Sequence, residues 1–291
     1  CAVVERVLSA LGPAPHRALR EGVHRDPAWM PGFVYRFNTR PDLVGLLEAA
    51  ACLISRDGSL GAALSRHKGP AAHKGPAAGA PSRVQTPMVV SDGFSSGVPR
   101  VAPAGTAAAP LHRGGLVLER DLPGQVSRVA REGLLLALAG FAAELRARAL
   151  AAGGTARGLK FLIPDPVRGA AKRWHLYLRW MVRPRGALDL GTWSGMFHPR
   201  ELIVPLDTHW VRIGPRLGLT RRSTAGLAMA LEITEALRGL DPEDPLVYDF
   251  PVCHFGIRGG CPSRLEVGHC RRCPLRPVCR TAGEAPFAHR V

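Results

Sequence analysis

Four cysteines near the C-terminus have the type and spacing that metal chemistry requires. Cys261, Cys270, Cys273 and Cys279 read C-x8-C-x2-C-x5-C. Thiolates grouped this closely can converge on an iron–sulfur cluster or a structural metal ion without long-range folding. Most zinc ribbons contain two short C-x2-C pairs whereas this stretch contains one, so the spacing favours a [4Fe-4S] cluster over zinc. Disulfides, or no ligand, are the other interpretations.

A lysine and an aspartate are candidates for covalent and electrostatic chemistry. Lys172 follows the stretch from Pro164 to Gly169, which predicts a tight turn and a new helix whose first amides are free to bind phosphate. A lysine amine there can act as a nucleophile that forms a Schiff base; the alternative is a solvated lysine that touches phosphate or water. Asp207 precedes another predicted helix. It is either the N-cap of that helix or a carboxylate that stabilises positive charge developing on a sugar ring.

The charge balance indicates a polyanionic partner. The chain of 291 residues has 39 Lys and Arg against 23 Asp and Glu, a formal net charge of +16. Such a surplus favours nucleic acid over an acidic small molecule. Candidate phosphate contacts lie in and after the predicted turn: Pro164, Val167, Arg168, Gly169, Arg173 and Arg183. Arg179 fits a phosphate contact and a partly buried ion pair equally well, and the tryptophans are expected in the core.

The sequence predicts a protein of the cytoplasm that does not enter membranes. Its start has no basic region followed by an apolar stretch and a cleavage site. The longest apolar run, from Gly133 to Ala143, is too short to span a bilayer. The chain has 7 cysteines, and an odd count without a secretory signal favours a reducing compartment.

Apolar residues recur at helical spacing, so the fold is expected to be mainly α. Residues 1–65 form a helical segment, and residues 66–125 form a low-complexity insertion that contains the duplicated hexapeptide HKGPAA. Residues 126–252 are helical again, and residues 253–291 contain the cysteine loop and a tail. Within the second helical region, the pattern predicts helices over residues 169–182, after Asp207, and after Thr224.

Several longer segments resemble a known family. The order of turn and lysine, then PLDTH, then a four-cysteine loop is similar to the helix-hairpin-helix DNA glycosylase superfamily of endonuclease III, adenine glycosylase and the 8-oxoguanine glycosylases. A mostly bacterial branch of unknown function is more similar still. The segments that carry this likeness are FVYRF at residues 33–37, DGSL at 57–60, KRWHLYLRWMVR at 172–183, DLGTW at 189–193 and YDF at 248–250.

The resemblance implies a two-lobed helix-hairpin-helix glycosylase-like fold with a C-terminal [4Fe-4S] loop. It implies a bifunctional base-excision repair enzyme on damaged double-stranded DNA, in which Lys172 forms the Schiff base, associated with AP-lyase activity, and Asp207 supplies the essential carboxylate. The four cysteines would be the cluster ligands, and the protein a monomer in the bacterial cytoplasm or nucleoid. The chain departs from the endonuclease III pattern in its first cysteine spacing, which is eight residues rather than six, and in its hairpin.

The start of the chain also departs from the family, because the family's first helical segment is not recognised in it and it begins with Cys rather than Met. An N-terminally truncated chain is therefore expected. The alternative function is a non-catalytic module that binds DNA or RNA and keeps only the hairpin and the cluster.

Overall fold

The protein is mainly helical. The computed structural model describes residues 2–68 and 133–283, with 59% helix and almost no strand, which confirms the predicted α class. Most of the predicted low-complexity insertion lies outside the described residues. Within the described ranges, no helix is both long enough and apolar enough to cross a membrane.

The N-terminal part is a set of helices interrupted by a small hairpin. Strands β1 and β2 pair antiparallel, with Val34 opposite Thr39 and Tyr35 opposite Asn38. Helix α3 begins with a capping box, in which Thr39 and Asp42 satisfy each other's amides. The elements in chain order are α1 Ala2–Leu11, α2 Pro15–Glu21, a 3₁₀ turn Val23–Arg25, β1 Val34–Tyr35, β2 Asn38–Thr39, α3 Arg40–Asp57 and α4 Leu60–Arg66.

The second part supplies most of the predicted site residues. Its elements are α5 Leu134–Ala151, α6 Ala156–Leu162, α7 Lys172–Val182, a 3₁₀ turn Pro199–Glu201, α8 Thr208–Arg216, α9 Leu227–Arg238, a 3₁₀ turn Pro245–Tyr248, α10 Asp249–Ile257, α11 Val267–Arg271, a 3₁₀ turn Arg276–Val278 and α12 Arg280–Gly283. The helix expected after Asp207 is confirmed. The helix expected to be capped by Thr224 begins at Leu227 instead. Its N-cap is Gly226, and no side chain caps it.

Helices α3 and α5 pack closely at the centre of the main core. Gly45 of α3 makes this approach possible, since a Cβ there would lie 2.6 Å from the carbonyl oxygen of Ala149. Helix α5 buries residues at helical spacing. Its buried apolar side chains include Leu134, Leu138, Phe141 and Leu145. A second apolar cluster joins the N-terminal helices and contains Leu11, Ala18, Trp29, Met30, Phe33 and Leu43.

A buried carboxylate joins the start of α3 to the start of α6. Asp42 is fully buried and accepts hydrogen bonds from the backbone and hydroxyl groups of Thr39 and Thr155. Burial by itself would raise the pKa of Asp42, but these hydrogen bonds together outweigh it and hold the pKa below its usual value. Gly158 lies against the carboxylate so closely that a Cβ there would collide with it. The hydrogen bonds of Asp42 therefore fix the position of the β1–β2 hairpin relative to α6.

Candidate nucleic-acid interface

The turn between α6 and α7 is anchored on both sides. Arg146 of α5 donates two hydrogen bonds to the carbonyl of Ile163, at 2.6 and 3.1 Å. On the other side, the indole of Trp174 donates to the carbonyl of Pro164 at 2.7 Å. Asp165 accepts the amide of Val167 at 3.0 Å, which closes the turn locally. The amide of Arg168 donates to the carbonyl of Asp165 at 3.2 Å, so the turn is closed by its own bonds and anchored to α5 and α7 by the others.

Helix α7 begins at Lys172 because two residues before it leave the helical region. Gly169 has φ 71° and Ala171 has φ 41°, and Ala171 is the N-cap. Positive φ is ordinary for glycine but costly for alanine, which shortens the helix relative to the predicted start at residue 169. No side chain caps α7. Among the described residues, the amides of Lys172 and Arg173 have no hydrogen-bond acceptor. Successive free amides of this kind suit an anion.

The basic side chains of the turn are mostly open to solvent. Lys172 is exposed and has neither a hydrogen bond nor an ion pair with any described residue. Arg168 is 87% exposed, with its Nε 3.6 Å from a carboxylate oxygen of Asp165. Arg173 is also exposed, and one of its guanidinium nitrogens donates to the carbonyl of Phe161. Of the predicted residues in this stretch, Val167, Arg168, Gly169 and Arg173 are thus exposed, close in the chain to the free amides at the start of α7.

Asp207 is the N-cap of α8. Its Oδ1 accepts the amides of His209 and Trp210, both at 2.9 Å. Its Oδ2 lies 3.5 Å from Sγ of Cys253 and makes no other hydrogen bond within the described chain. Asp207 is only partly buried. The residue therefore has the predicted structural role, and one of its oxygens keeps capacity for a further partner.

A buried network lies directly beneath Asp207. Asp249 of α10 accepts the indole of Trp210 at 2.6 Å and a guanidinium N–H of Arg179 at 2.6 Å. Cys253 Sγ lies 3.5 Å from Asp249 as well as from Asp207. Burial raises the pKa of the Cys253 thiol, and the two carboxylates raise it further, so the sulfur stays protonated and can donate to only one of them at a time. This network links α7, which begins at Lys172, to α8, which follows Asp207.

Two arginines, Arg179 of α7 and Arg183 directly after it, are paired with carboxylates. Arg179 is 5% exposed and pairs with Asp249 and Asp189, which decides its role in favour of the buried ion pair. Arg183 was predicted as a phosphate contact, and its guanidinium pairs with Asp189 and with Asp244, the latter at 2.7 Å. These pairs account for the Arg183 charge without a phosphate. Lys172 and Asp207 share no hydrogen bond or ion pair in the described structure.

The four predicted cluster ligands lie in the last short elements of the described chain. All are half-buried free thiols. The Cys261 sulfur accepts a guanidinium N–H of Arg216 at 2.9 Å. Cys270 belongs to α11, its carbonyl accepts the Cys273 amide at 3.3 Å, and Cys279 ends the following 3₁₀ turn. In residues 2–68 and 133–283, no three His, Cys, Asp or Glu side chains come close enough together to hold a metal ion. The donor types suit a cluster, and their convergence stays a prediction.

Sequence reasoning missed the roles of Asp249 and Cys253 in this network. A signal for Asp249 exists, because it is the only charged residue in the stretch DFPVCHFGI apart from the titratable His254. A charge in so apolar a helix must find a buried partner. The tryptophans largely follow the prediction, since Trp193 and Trp210 are buried and Trp174 packs on the core, whereas Trp180 is 40% exposed.

Comparison with known proteins does not support the predicted family. A family model described as "Protein of unknown function (DUF2400)" matches residues 125–258, and the chain is similar to that family over this region. No model of the helix-hairpin-helix glycosylase superfamily matches, so the predicted membership in that superfamily is wrong. No curated protein and no solved structure matches the chain.

The error has a physical explanation. A turn followed by a helix, an aspartate N-cap and closely spaced cysteines are each local solutions to backbone and ligand requirements. Their order along a chain can therefore resemble a family without shared membership. The matched family carries no described activity, so function has to be argued from the site.

Proposed function

We propose that this protein binds duplex DNA through the α6–α7 turn and cleaves the N-glycosidic bond of a damaged nucleotide. Lys172 is the nucleophile and Asp207 is the electrostatic partner. The observation that carries the proposal is the state of these two groups: among the described residues, the Lys172 amine has no partner, and one Asp207 oxygen has only a thiol beside it. Most other acidic groups around α7 and α8 are engaged in ion pairs or hydrogen bonds.

The turn supplies the DNA contacts. Free amides at the start of α7 and the exposed side chains of Arg168 and Arg173 can bind phosphates, and the chain has a formal net charge of +16. Phosphate binding by amides and arginine does not depend on base sequence. We therefore expect weak sequence selectivity and an affinity that falls log-linearly with salt concentration.

The chemistry begins once the damaged nucleotide has left the base stack. The Lys172 amine attacks C1′ of the sugar while the C1′–N bond breaks; the base departs with the bonding electrons and takes up the proton that the amine loses. Asp207 stabilises the positive charge that develops on the sugar ring. Ring opening then gives an imine between C1′ and Lys172, and loss of a proton from C2′ permits elimination of the 3′ phosphate. The buried network under Asp207 holds its carboxylate in place.

In this proposal the C-terminal cysteines bind a [4Fe-4S] cluster, with zinc as the alternative. Such a centre would order the basic loop that contains Arg271, Arg272 and Arg276. The loop would then add phosphate contacts to those of the turn.

The test is covalent trapping on a panel of lesion-bearing duplexes. Borohydride should trap the wild-type protein on DNA, and Lys172→Gln should abolish trapping while binding persists. Lys160→Gln is the matched control, because Lys160 is also exposed and has no partner in the described structure. Asp207→Asn keeps a side-chain acceptor for the two amides and should slow base release on the order of 100-fold. Asp241→Asn, another aspartate that accepts two backbone amides, should have no effect.

A second candidate is a DNA-binding module without catalysis. The observation that favours it is the absence of any hydrogen bond or ion pair between Lys172 and Asp207 in the described structure. Unchanged base release in Asp207→Asn, together with salt-dependent binding, would establish that candidate and exclude the catalytic assignment. Stronger binding to RNA than to DNA of the same sequence would exclude DNA as the partner.

A further inference from the structure

Two phenylalanine rings form a stack on the surface instead of in the core. Phe37, in the β1–β2 hairpin, and Phe161, near the end of α6, have ring centroids 4.7 Å apart and an interplanar angle of 25°. Phe37 is 53% exposed and Phe161 is 43% exposed. Large aromatic side chains usually bury most of their surface, so two adjacent exposed rings require an explanation. We call this pair the Phe37/Phe161 platform.

The platform is held rigidly. Asn38, which follows Phe37, is 8% exposed and donates a hydrogen bond of 2.8 Å to the carbonyl of Gly158 in α6. Gly158 in turn lies against the buried carboxylate of Asp42. At the hairpin tip, Arg36 adopts φ 57°, a conformation that few side chains tolerate without compensation. The two rings are thus carried by a hairpin and a helix, α6, that are fixed in position relative to each other.

Positive charge surrounds the platform. The guanidinium carbon of Arg157 lies 5.7 Å from the centroid of the Phe37 ring. The guanidinium carbon of Arg36 lies 5.5 Å from the centroid of the neighbouring Tyr35 ring. Arg173, at the start of α7, donates to the carbonyl of Phe161 itself. The platform is therefore directly connected to the turn with the free amides.

We infer that the Phe37/Phe161 platform stacks an unpaired nucleobase of a DNA strand whose phosphates contact the α6–α7 turn. A base can stack its flat π-face on an exposed ring, and the phosphates of the same strand can pair with the surrounding arginines. An apolar protein partner would leave the charges of those arginines unpaired. Because stacking does not depend on base identity, the platform binds single-stranded regions with little sequence preference. The inference rests on the proposed DNA binding but not on catalysis.

The experiment measures binding of the full chain to a single-stranded oligonucleotide that contains 2-aminopurine, whose fluorescence is quenched by stacking. Phe37→Leu and Phe161→Leu keep apolar volume but remove the ring. Each should lower affinity on the order of tenfold and reduce the quenching. Phe37→Trp should retain both. Phe250→Leu is the control, because Phe250 is 38% exposed and forms a ring pair with His254 elsewhere on the surface.

Charge and stacking are separated by the salt dependence. Arg157→Gln should reduce the magnitude of the slope of log affinity against log salt concentration by about one, as expected for the loss of one phosphate contact. Phe37→Leu should leave the slope unchanged. Thermal unfolding of each variant confirms that the fold is intact. If affinity and quenching in the folded Phe37→Leu/Phe161→Leu double variant equal those of the wild type, the inference is wrong.

The outcomes also distinguish this inference from the proposed catalysis. Quenching that depends on Phe37, together with no covalent trapping through Lys172, supports the platform and refutes the catalytic proposal. Trapping that depends on Lys172, with quenching independent of Phe37 and Phe161, supports the catalytic proposal and refutes the platform.

Discussion

His175 should make the stability of this protein depend on pH in a direction that can be worked out in advance. Its side chain lies on α7, is 1% exposed, and has an Nε2 atom without a hydrogen-bond partner among the described residues. Burial lowers the pKa of His175 from 6.5 to about 4. The folded protein therefore keeps the imidazole neutral at a pH where the unfolded chain protonates it.

The sign follows from proton binding. Below pH 6.5 the unfolded state takes up a proton that the folded state refuses, so stability falls as the pH drops from 6.5 toward 4. At 1.36 kcal/mol per pKa unit, the full effect is roughly 3 kcal/mol. Between pH 7 and pH 5, the loss attributable to this group is about 2 kcal/mol.

The perturbation is His175→Leu, which replaces the unpartnered imidazole with an apolar group of similar size. At pH 7 the variant should unfold within about 1 kcal/mol of the wild type, because no hydrogen bond is lost. Urea unfolding at pH 7 and pH 5 should then show that the wild type loses about 2 kcal/mol more than the variant. Other titrating groups cancel in this comparison. His16→Leu, at an exposed histidine, should lose as much as the wild type. Equal losses in wild type and His175→Leu would refute the reasoning.

Other predictions concern packing, the buried ion pair and the cysteines. Gly158→Ala should lower the free energy of unfolding by about 2 kcal/mol, since its Cβ collides with the Asp42 carboxylate, whereas Gly195→Ala, in open space, should not; equal urea midpoints would contradict this. Asp249→Ala should lose about 3 kcal/mol or more by leaving Arg179 buried without its closer partner, and Arg179→Met in the same chain should recover part of the loss in chemical denaturation. Protein purified without oxygen should be brown and contain about four irons per chain, and stoichiometric zinc without iron would exclude the cluster. The ligands in that prediction are Cys261, Cys270, Cys273 and Cys279.

The helices could be predicted from the sequence because their causes are local. Asp207 caps α8 as expected, since a carboxylate two and three residues before free amides needs no distant partner. The predicted start of α7 was three residues too early. Alanine rarely adopts a positive φ, so the sequence gives no sign of the break at Ala171. The turn before α7 is held by distant residues, as in the bond from Arg146 of α5 to the carbonyl of Ile163, and such contacts cannot be read from the local sequence.

The family assignment failed for a related reason. Short motifs such as an aspartate before a helix reflect local geometry that unrelated families share. Similarity to a family depends on a much longer pattern, which here extends over residues 125–258. The cysteine spacing likewise identifies the candidate ligands. It does not determine whether the fold brings their sulfur atoms together.

The sequence by itself determined the helical class, the basic surplus, the cap at Asp207 and the set of candidate ligands. Only the tertiary structure decided that Arg179 is buried against Asp249, 70 residues away, and that Phe37 and Phe161 meet on the surface. The reason is that caps and helical periodicity depend on neighbours within a few residues. The partner of a buried charge, or the exposure of a ring, depends instead on which distant segments the core brings into contact.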